Sequence, residues 1–472
     1  MTVVYNTLPV VFLRNNTDVC LTGIKGFDEY LGGIPRGSLI VVIGHPGAGK
    51  TTFAAKFLYE GARRFGERGL YVGFGEPVRK FRMFMKELGM DFEDLESKGL
   101  IKIITLPVLA TKDAADMLTE TIIRAVNNFK PKRLVIDNLP AVVDILGDIA
   151  GRAFLHTTLY NILNREEVTT IVISDVYRGD KKPIVPSVEV IADGVILMKA
   201  EIRGGLIVRK LIIEKMKGKK MPVAEVPFSL VKGEGIIVFA PALTYDIPAP
   251  KLPTSIKLRC EPLHKAVGPV YVGSQIIVCA PPGMTLPPEV MVSLLRTIAE
   301  DGIKVLLISL TNPSISIWCR IESQARKYGI SLSELKKLIK IISLNPTAYS
   351  ITELMSTIMT EVENYKPEVL VLHGLEALNV LYPQREFMSF YLNVITRFRK
   401  KAITTIYVIS SSITDDKSPI VNASDIVLAL STPLAIRGTY SVKIDILKSY
   451  LGEPKTIFTD YLRECLQETE HA

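Results

Sequence analysis

The residues with the most specific chemistry form one short run, Gly44-His45-Pro46-Gly47-Ala48-Gly49-Lys50-Thr51. This run fits the pattern G-x-x-x-x-G-K-[ST] in full, after an apolar segment and before a helical one. Glycines let a loop fold tightly with its N–H groups turned toward phosphate oxygens, and the start of a helix adds positive potential. In this pattern the lysine binds the β- and γ-phosphates and the threonine hydroxyl binds Mg²⁺. The run therefore predicts a P-loop, or Walker A motif, for ATP and Mg²⁺.

Two carboxylates could complete such a site. Asp137 closes the apolar run Arg133 to Ile136, where a strand-end carboxylate suits a second protein ligand of Mg²⁺. Glu76 follows the apolar run Gly69 to Phe74 and could orient the water that attacks the terminal phosphate. An acid at the end of a strand can also simply be solvated in a turn. We predict that Asp137 is the Walker B ligand and that Glu76 is catalytic.

These motifs give a defined set of candidate residues. Catalysis is assigned to Lys50 and Glu76, and metal binding to Thr51 and Asp137. The predicted nucleotide-binding residues are Gly44, His45, Pro46, Gly47, Ala48, Gly49, Lys50, Thr51 and Thr52.

The composition is that of a folded protein with more than one domain. The chain has 472 residues, of which 48% are hydrophobic and 22% charged, and its net charge is +8. Its five cysteines form no C-x-x-C pair, so we expect neither a disulfide framework nor a zinc site. No secretory signal pattern and no membrane-length apolar run are present. We therefore expect a cytoplasmic protein without a membrane span.

An internal repeat divides the chain. A shift of 236 residues places Gly37-Ser38 on Gly273-Ser274, Pro46-Gly47 on Pro282-Gly283 and Lys130-Pro131 on Lys366-Pro367. A proline-rich stretch from Ala240 to Pro253 cannot form a helix or an inner strand, and it marks the joint. The predicted domains are residues 1–247, with intact Walker A and B motifs, and residues 248–472.

Within each half, short apolar runs alternate with amphipathic segments. This alternation predicts an α/β fold, with a mostly parallel sheet flanked by helices. The strands predicted first are Leu39 to Ile43, Gly69 to Phe74, Arg133 to Ile136 and Thr170 to Ser174. Helices are predicted at Thr51 to Phe65 and Ala114 to Phe129, and added antiparallel strands at Ile207 to Met216 and Gly235 to Phe239.

The second half keeps the apolar strands of the first half but lacks its phosphate-binding, metal-binding and catalytic residues. The same shift replaces Lys50 by Leu286, Thr51 by Pro287, Asp137 by His373 and Glu76 by Asn312. Proline also removes backbone donors where phosphate would lie. We predict a degenerate domain that does not bind Mg-ATP in the ordinary way, with His373 a strand-end polar residue rather than a metal ligand.

The segments on either side of the P-loop, Gly23 to Ser38 and Thr52 to Gly61, resemble the KaiC branch of the RecA/RadA ATPase superfamily. The resemblance is specific in the first half and reaches the second through the repeat. It implies tandem RecA-like domains in a ring, often a hexamer, with ATP between neighbouring subunits and a regulatory protein as a further partner. Because this composition is rich in lysine and isoleucine, we expect an archaeal type.

The resemblance also assigns residues beyond the motifs. Lys215 and Lys217 are similar to the family's basic residues that reach a neighbour's phosphates, and alternation would put both on one face of a strand. Solvent-facing lysines that protect an edge strand are the alternative. Ser174 falls where the family has a nucleotide-sensing polar group. The family has two adjacent acids after this strand, whereas here the pair reads Gly75-Glu76 and the first acid is missing. The resemblance therefore implies either slow hydrolysis or a water-activating role for Glu76 itself.

Three functions follow for testing. The first is a KaiC-like ATPase that couples ATP binding or slow hydrolysis to assembly or partner control. The second is a DNA-binding relative of the RecA/RadA recombinases, although no aromatic and basic stretch suited to stacking bases is present. The third is a scaffold that senses ATP without hydrolysing it. Autokinase activity is not expected, because members of the resembled family that phosphorylate themselves use an ATP site in the second domain, and this sequence lacks the residues of that site.

Overall fold

The computed structural model describes residues 18–106, 112–141, 167–176, 187–219, 221, 224–239, 248–410, 419–436 and 439–467. The chain forms two compact units, Met1–Pro241 and Ala242–Ala472. Residues 240–247 of the predicted proline-rich joint lie outside the described residues.

The first unit is built on a nine-stranded sheet. The described strands of this unit, of which β3 to β11 form the sheet, are β1 Val19–Cys20, β2 Ile34–Pro35, β3 Leu39–Gly44, β4 Gly69–Phe74, β5 Ile101–Leu106, β6 Arg133–Asp137, β7 Thr169–Asp175, β8 Gly194–Arg203, β9 Leu206–Met216, β10 Glu225–Val231 and β11 Gly235–Val238. The described helices are α1 Phe27–Leu31, α2 Lys50–Phe65, α3 Val78–Glu87, α4 Phe92–Ser97, α5 Lys112–Phe129 and α6 Ser187–Ile191. The order across the sheet is β11-β10-β9-β8-β3-β7-β6-β4-β5, and β1 pairs separately with β2.

Parallel pairing joins the six strands from β8 to β5, and β9, β10 and β11 add antiparallel strands at the other edge. Valine and isoleucine fill both faces of the central strands, which is the pattern of a sheet covered on both sides. Two separate apolar clusters lie on the two faces, one around Phe53 and Phe57 of α2 and the other around Ile122 and Val126 of α5. The predicted α/β class with a mostly parallel sheet is confirmed.

The second unit has an eight-stranded sheet. The described strands of this unit, of which β12-β13 and β20-β21 form separate pairs, are β12 Lys251–Ile256, β13 Val270–Val272, β14 Gln275–Ala280, β15 Val305–Ser309, β16 Ile339–Ser343, β17 Val369–His373, β18 Thr404–Ser410, β19 Ile426–Leu430, β20 Leu434–Ile436, β21 Thr439–Ser441, β22 Lys443–Lys448 and β23 Lys455–Phe458. The described helices are α7 Glu261–Val267, α8 Pro288–Asp301, α9 Ser314–Lys327, α10 Leu332–Leu338, α11 Ile351–Tyr365, α12 Glu376–Leu381, α13 Gln384–Lys400 and α14 Pro419–Ala423, with 3₁₀ turns at Pro346–Ala348 and Thr459–Leu466.

Its order, β16-β15-β17-β18-β14-β19-β22-β23, repeats the first sheet strand by strand from β5 to β10. The two units also share their anchors. The Leu39 amide donates to Asp193 Oδ2 at 3.0 Å, and the Gln275 amide donates to Asp425 Oδ2 at 2.7 Å. Both units therefore share the same order of apolar strands and the same hydrogen bond from a backbone amide to an aspartate at the start of the central strand.

One expectation about the cysteines is wrong. Cys260 and Cys465 form a disulfide across a sequence separation of 205 residues. Cys260 precedes α7 and Cys465 lies in the last 3₁₀ turn, and both are buried. Sequence spacing could not reveal this pair, because only the fold of the second unit brings its two ends together.

Among the described residues, no helix combines the length and the hydropathy needed to cross a lipid bilayer.

A buried ion pair links the start of β6 to Glu67, which follows α2. Arg133 is 1% exposed, its Nε lies 2.6 Å from Glu67 Oε2, and it donates to the carbonyls of Phe57 and Leu21 at 2.8 and 2.7 Å. Its guanidinium also lies 4.6 Å from the centre of the Phe57 ring. Glu67 keeps Arg36 as a partner at 2.9 Å when Arg133 is lost. The carbonyls of Phe57 and Leu21 then lose their donor, at a cost of about 1–3 kcal/mol for each buried group left without a partner.

We therefore expect Arg133→Met to lower the free energy of unfolding of the first unit by about 3 kcal/mol. The matched control is Arg124→Met, since Arg124 pairs with Glu120 on the exposed face of α5 and should change stability by less than about 0.5 kcal/mol. Urea unfolding followed by tryptic cleavage of the first unit would measure both. Equal effects of the two substitutions would contradict a structural role for the buried pair.

Candidate functional site

The glycine-rich loop joins β3 to α2, as the motif predicts. β3 ends at Gly44 and α2 begins at Lys50. Gly47 and Gly49 have φ values of 80° and 102°, in the left-handed region that favours glycine. A Cβ atom on Gly44 would lie 2.3 Å from the Met198 carbonyl oxygen. The loop therefore requires glycine at these positions for its own backbone.

The start of α2 offers a site for an anion. Its N-cap is Gly49, so no side chain caps the free N–H groups of the first turn. The helix is 16 residues long, and its N-terminus carries positive potential.

Lys50 lies within the curve of this loop. Its side chain is 7% exposed, and its ammonium donates to the carbonyls of Gly44 at 2.8 Å and His45 at 3.0 Å. The same Nζ lies 2.9 Å from Oδ1 of Asp175, the last residue of β7, which pairs with Gly44 of β3. The lysine is therefore held in the loop with one acidic counterion.

Thr51 and Asp137 converge at the end of the sheet. The Thr51 hydroxyl donates to Asp137 Oδ2 at 2.7 Å, and the Tyr71 hydroxyl donates to the same oxygen at 2.8 Å. Burial raises the pKa of the Asp137 carboxyl above its usual value, while the two hydroxyls act in the opposite direction. A hydroxyl and a carboxylate held this close are the oxygen donors that Mg²⁺ prefers, so the donor set fits that ion.

Glu76 lies beside this pair. It follows β4 by two residues and lines a small cavity of about 100 Å³ together with Thr51, Asp137 and Asn138. Gly75, which precedes it, has a φ of 78°, and a side chain there would have open space but a strained backbone. Glycine at position 75, where the family has an acid, therefore matches the left-handed backbone of this turn.

Ser174 is fully buried and pairs with Ile43, the residue before the loop. Its hydroxyl oxygen has no hydrogen-bond partner among the residues that the structure describes. An orphaned hydroxyl next to the loop fits the polar sensing position that the resemblance implies.

Sequence reasoning missed two contacts of this site. Tyr71 lies inside an apolar strand and was not singled out, and Asp175 was not recognised as the partner of Lys50. Asn138 also belongs here, because its amide donates to Asp175 Oδ2 at 3.0 Å. The only feature of the sequence that pointed to Tyr71 was its hydroxyl group within the otherwise apolar strand β4.

Lys215 and Lys217 lie at the other end of the sheet. Lys215 pairs with Val195 near the start of β8, whereas Gly44 pairs with Met198 further along the same strand. The two levels differ by roughly 10 Å along the strand. β9 ends at Met216, so Lys217 occupies the following turn and not a strand position beside Lys215. The expectation of one shared strand face is therefore wrong for this pair.

These lysines have partners within the chain. Lys215 Nζ donates to the Glu189 carbonyl at 3.1 Å, and Lys217 Nζ lies 2.9 Å from Asp193 Oδ1. The side chain of Lys217 is 57% exposed, which leaves its ammonium accessible.

The equivalent loop of the second unit differs in its donors. Gly283 keeps a φ of 78°, but Pro287 is the N-cap of α8 and Pro288 begins the helix. His373 ends β17 where Asp137 ends β6, and its Nδ1 lies 3.3 Å from the hydroxyls of Ser309 and Thr311. Two N–H groups, an ammonium and a metal-binding carboxylate are therefore absent from this described loop and strand end.

Comparisons with known proteins decide the family. A family model described as "ATPase: KaiC" matches residues 20–242. A UPF0273 protein of Aeropyrum pernix is 30% identical over 232 residues, which are 46% of this chain and 92% of the relative. The chain belongs to the KaiC-like family of P-loop ATPases. The first unit carries the ATPase domain of this KaiC-like, ATP-binding protein.

Longer KaiC relatives match more of the chain. The circadian clock oscillator protein KaiC of Thermostichus vulcanus is 25% identical over 452 residues, 90% of this chain and 84% of the relative. The circadian clock protein KaiC2 of a Synechocystis strain is 27% identical over 399 residues, 82% of this chain and 68% of the relative. The likeness to KaiC proteins therefore extends over both units.

Proposed function

We propose that the first unit binds ATP with Mg²⁺ and hydrolyses it slowly, as a switch for assembly or for control of a partner protein. The observation that carries this proposal is the convergence of Thr51 and Asp137, 2.7 Å apart, beside the ammonium of Lys50. This arrangement lies at the carboxyl ends of parallel strands, the edge at which α/β sheets bind ligands.

Each residue has a role in this proposal. The loop from Gly44 to Thr52 wraps the phosphates with its N–H groups, and Lys50 moves from its Asp175 counterion to the β- and γ-phosphates. Thr51 and Asp137 would hold Mg²⁺, which neutralises phosphate charge when it is bound. Ser174 senses the nucleotide from the neighbouring strand through its unpartnered hydroxyl.

Hydrolysis rests on Glu76, which shares a cavity with Thr51 and Asp137. In the proposed step its carboxylate accepts a proton from water as the water oxygen attacks the γ-phosphorus, and ADP leaves. A single acid at this turn favours a slow reaction. A phosphate-release assay with the purified chain tests this, and ATP binding without release would select the non-hydrolysing scaffold, which Gly75 favours.

We propose that the degenerate second unit is structural with respect to ATP, since Pro287 and Pro288 occupy the helix start. We also propose a ring oligomer in the cytoplasm, of the archaeal type. The 30% identical relatives of Aeropyrum pernix and Methanocaldococcus jannaschii support the last point.

In the proposed ring, Lys215 and Lys217 act on a neighbour's nucleotide. Their position toward the opposite end of the strands from the P-loop supports this, because Lys215 lies roughly 10 Å from the level of Gly44 along β8 and both ammonium groups contact residues at that end. A cation supplied from the adjacent subunit would stabilise charge on the transferring phosphate.

Mixing of two inactive variants tests action between subunits. We expect Lys50→Met and Lys215→Ala each to lose at least about 90% of phosphate release, because each lacks one half of every site. When the two variants exchange subunits, some sites combine the intact P-loop of a Lys215→Ala subunit with the intact Lys215 of a neighbouring Lys50→Met subunit. With random mixing of equal amounts, the mixture should therefore rise well above either variant alone, to about one quarter of wild-type release.

Lys232→Ala is the matched control, since Lys232 is highly exposed and its contact with Glu87 is on the surface. It should leave release within about twofold of wild type. Mass spectrometry of intact complexes would establish that the two variants share oligomers. Mixed oligomers without any recovery would contradict a role for Lys215 between subunits.

A further inference from the structure

The second unit contains a large apolar cavity. Its volume is about 480 Å³, and its walls come from β14, β15, β17, β18, α7, α8 and α9. Apolar side chains form most of the lining, including Met284 and Leu286 of the degenerate loop and Leu307 of β15. The size falls in the range of sites that bind small organic molecules.

This cavity occupies the place of the small polar one in the first unit. There, Tyr71, Glu76, Phe81 and Asp137 line about 100 Å³. The equivalent residues Leu307, Asn312, Ile317 and His373 all line the larger cavity. The duplication has therefore replaced a polar pocket by an apolar one at the same point of the fold.

Loss of large side chains accounts for part of the added volume. The first unit packs Tyr71 against Phe81 with ring centres 4.4 Å apart, and these positions are Leu307 and Ile317 in the second unit. Two further lining positions, Leu263 and Val369, correspond to Phe27 and Arg133. Some lining positions carry a larger side chain in the second unit, such as Met291 at the position of Ala55, but these side chains do not fill the cavity.

A few polar groups lie at one end of the cavity. His373, Glu376 and the solvent-exposed Arg320 line it, and Glu376 Oε2 is buried without a hydrogen-bond partner among the described residues. The Glu376 charge contributes to the pKa of two neighbours: burial, and then this charge, raises the pKa of the Cys279 thiol to about 12. Burial lowers the pKa of His373, and Glu376 opposes that shift. The carboxyl oxygen is thus an acceptor at the end of an apolar chamber.

We propose that the second unit binds a small, mostly apolar molecule that carries a hydroxyl or amine group at one end. The apolar body fills the chamber beside Leu307 and Ile317, and the polar end donates a hydrogen bond to Glu376. Apolar cavities of this kind bind organic molecules because dispersion contacts and release from water favour occupancy. A buried acceptor without a partner gives the polar end its preference. This ligand would occupy the position from which ATP binding was lost.

Binding of 1-aminoanthracene, a fluorescent apolar amine, tests the cavity in the full chain. We expect saturable binding of one probe per chain, with a blue shift of its emission. Dodecan-1-ol should displace the probe at least about ten times more effectively than dodecanoate, whose carboxylate would face Glu376. Absence of saturable binding would overturn the proposal, and stronger displacement by dodecanoate would overturn the assigned polar end.

Variants locate the probe. Ile317→Phe and Leu307→Tyr restore first-unit residues and fill the chamber, so each should weaken binding at least about tenfold. The matched control is Ile315→Phe, on the same helix but 66% exposed, which should leave binding unchanged. Glu376→Gln should reduce the preference for dodecan-1-ol over dodecanoate.

An unchanged urea unfolding transition of the second unit in every variant would show that this unit still folds. Equal effects of Ile317→Phe and Ile315→Phe would place the probe elsewhere and overturn the proposal. Because this test reads the second unit, it can fail while the nucleotide proposal for the first unit stands.

Discussion

Lys50→Met should abolish useful binding of Mg-ATP, with at least about a 100-fold loss of affinity. The ammonium is 7% exposed and is already ordered by the carbonyls of Gly44 and His45. Hydrogen bonds to charged groups contribute about 1.5–3 kcal/mol each, and every 1.4 kcal/mol is a factor of ten in affinity. Loss of two such contacts to phosphate therefore predicts an effect of this size or larger. Isothermal titration calorimetry with excess Mg²⁺ measures it.

Lys56→Met supplies the matched control for this prediction. Lys56 lies on the same helix, is also buried, and pairs with Glu60 at 2.8 Å instead of the loop. Glu60 retains Arg63 and Arg64 as partners in that variant, so the helix should persist. We expect ATP affinity within about threefold of wild type. Equal losses in the two variants would show that the effect of Lys50→Met is structural.

Glu76→Gln should reduce phosphate release by about 100-fold or more while ATP affinity stays within about twofold of wild type. Loss of a general base typically costs a factor of 10² to 10⁴, and the amide keeps the shape of the side chain without accepting a proton. Glu87→Gln is the control on the exposed face of α3, where it should leave turnover unchanged. Single-turnover release with radiolabelled ATP separates the chemical step from binding.

The outcome for Glu76 also bears on Gly75. The left-handed backbone at Gly75 shows why an acid there would be strained, so Glu76 is the one acid of the pair Gly75-Glu76, and it lines the cavity beside Asp137. Unchanged turnover in Glu76→Gln would contradict its role and would favour the scaffold that binds ATP without hydrolysing it.

Local sequence patterns predicted the fold because they express local physics. Runs of valine and isoleucine form the buried strands, and the predicted β4 is the observed Gly69–Phe74 without a shifted end. The P-loop was visible because its glycines are needed by the loop backbone itself, as the φ values of Gly47 and Gly49 demonstrate.

Local sequence patterns could not predict the contacts between distant segments of the chain. The hydrogen bond from Tyr71 to Asp137 depends on pairing of β4 with β6, and the Lys50–Asp175 pair depends on pairing of β3 with β7. The Cys260–Cys465 disulfide depends on closure of a whole unit. The cavity of the second unit depends on the summed volumes of many side chains, which no short motif records.

The stoichiometry of Mg-ATP binding to the full chain shows whether the first unit alone holds a nucleotide. We expect one ATP per chain by equilibrium dialysis, with photo-crosslinking of 8-azido-ATP to peptides of the first unit. In Lys50→Met the same measurement should give none. Two ATP per chain, or crosslinks confined to the second unit, would contradict the assignment of the nucleotide site to the loop at Lys50.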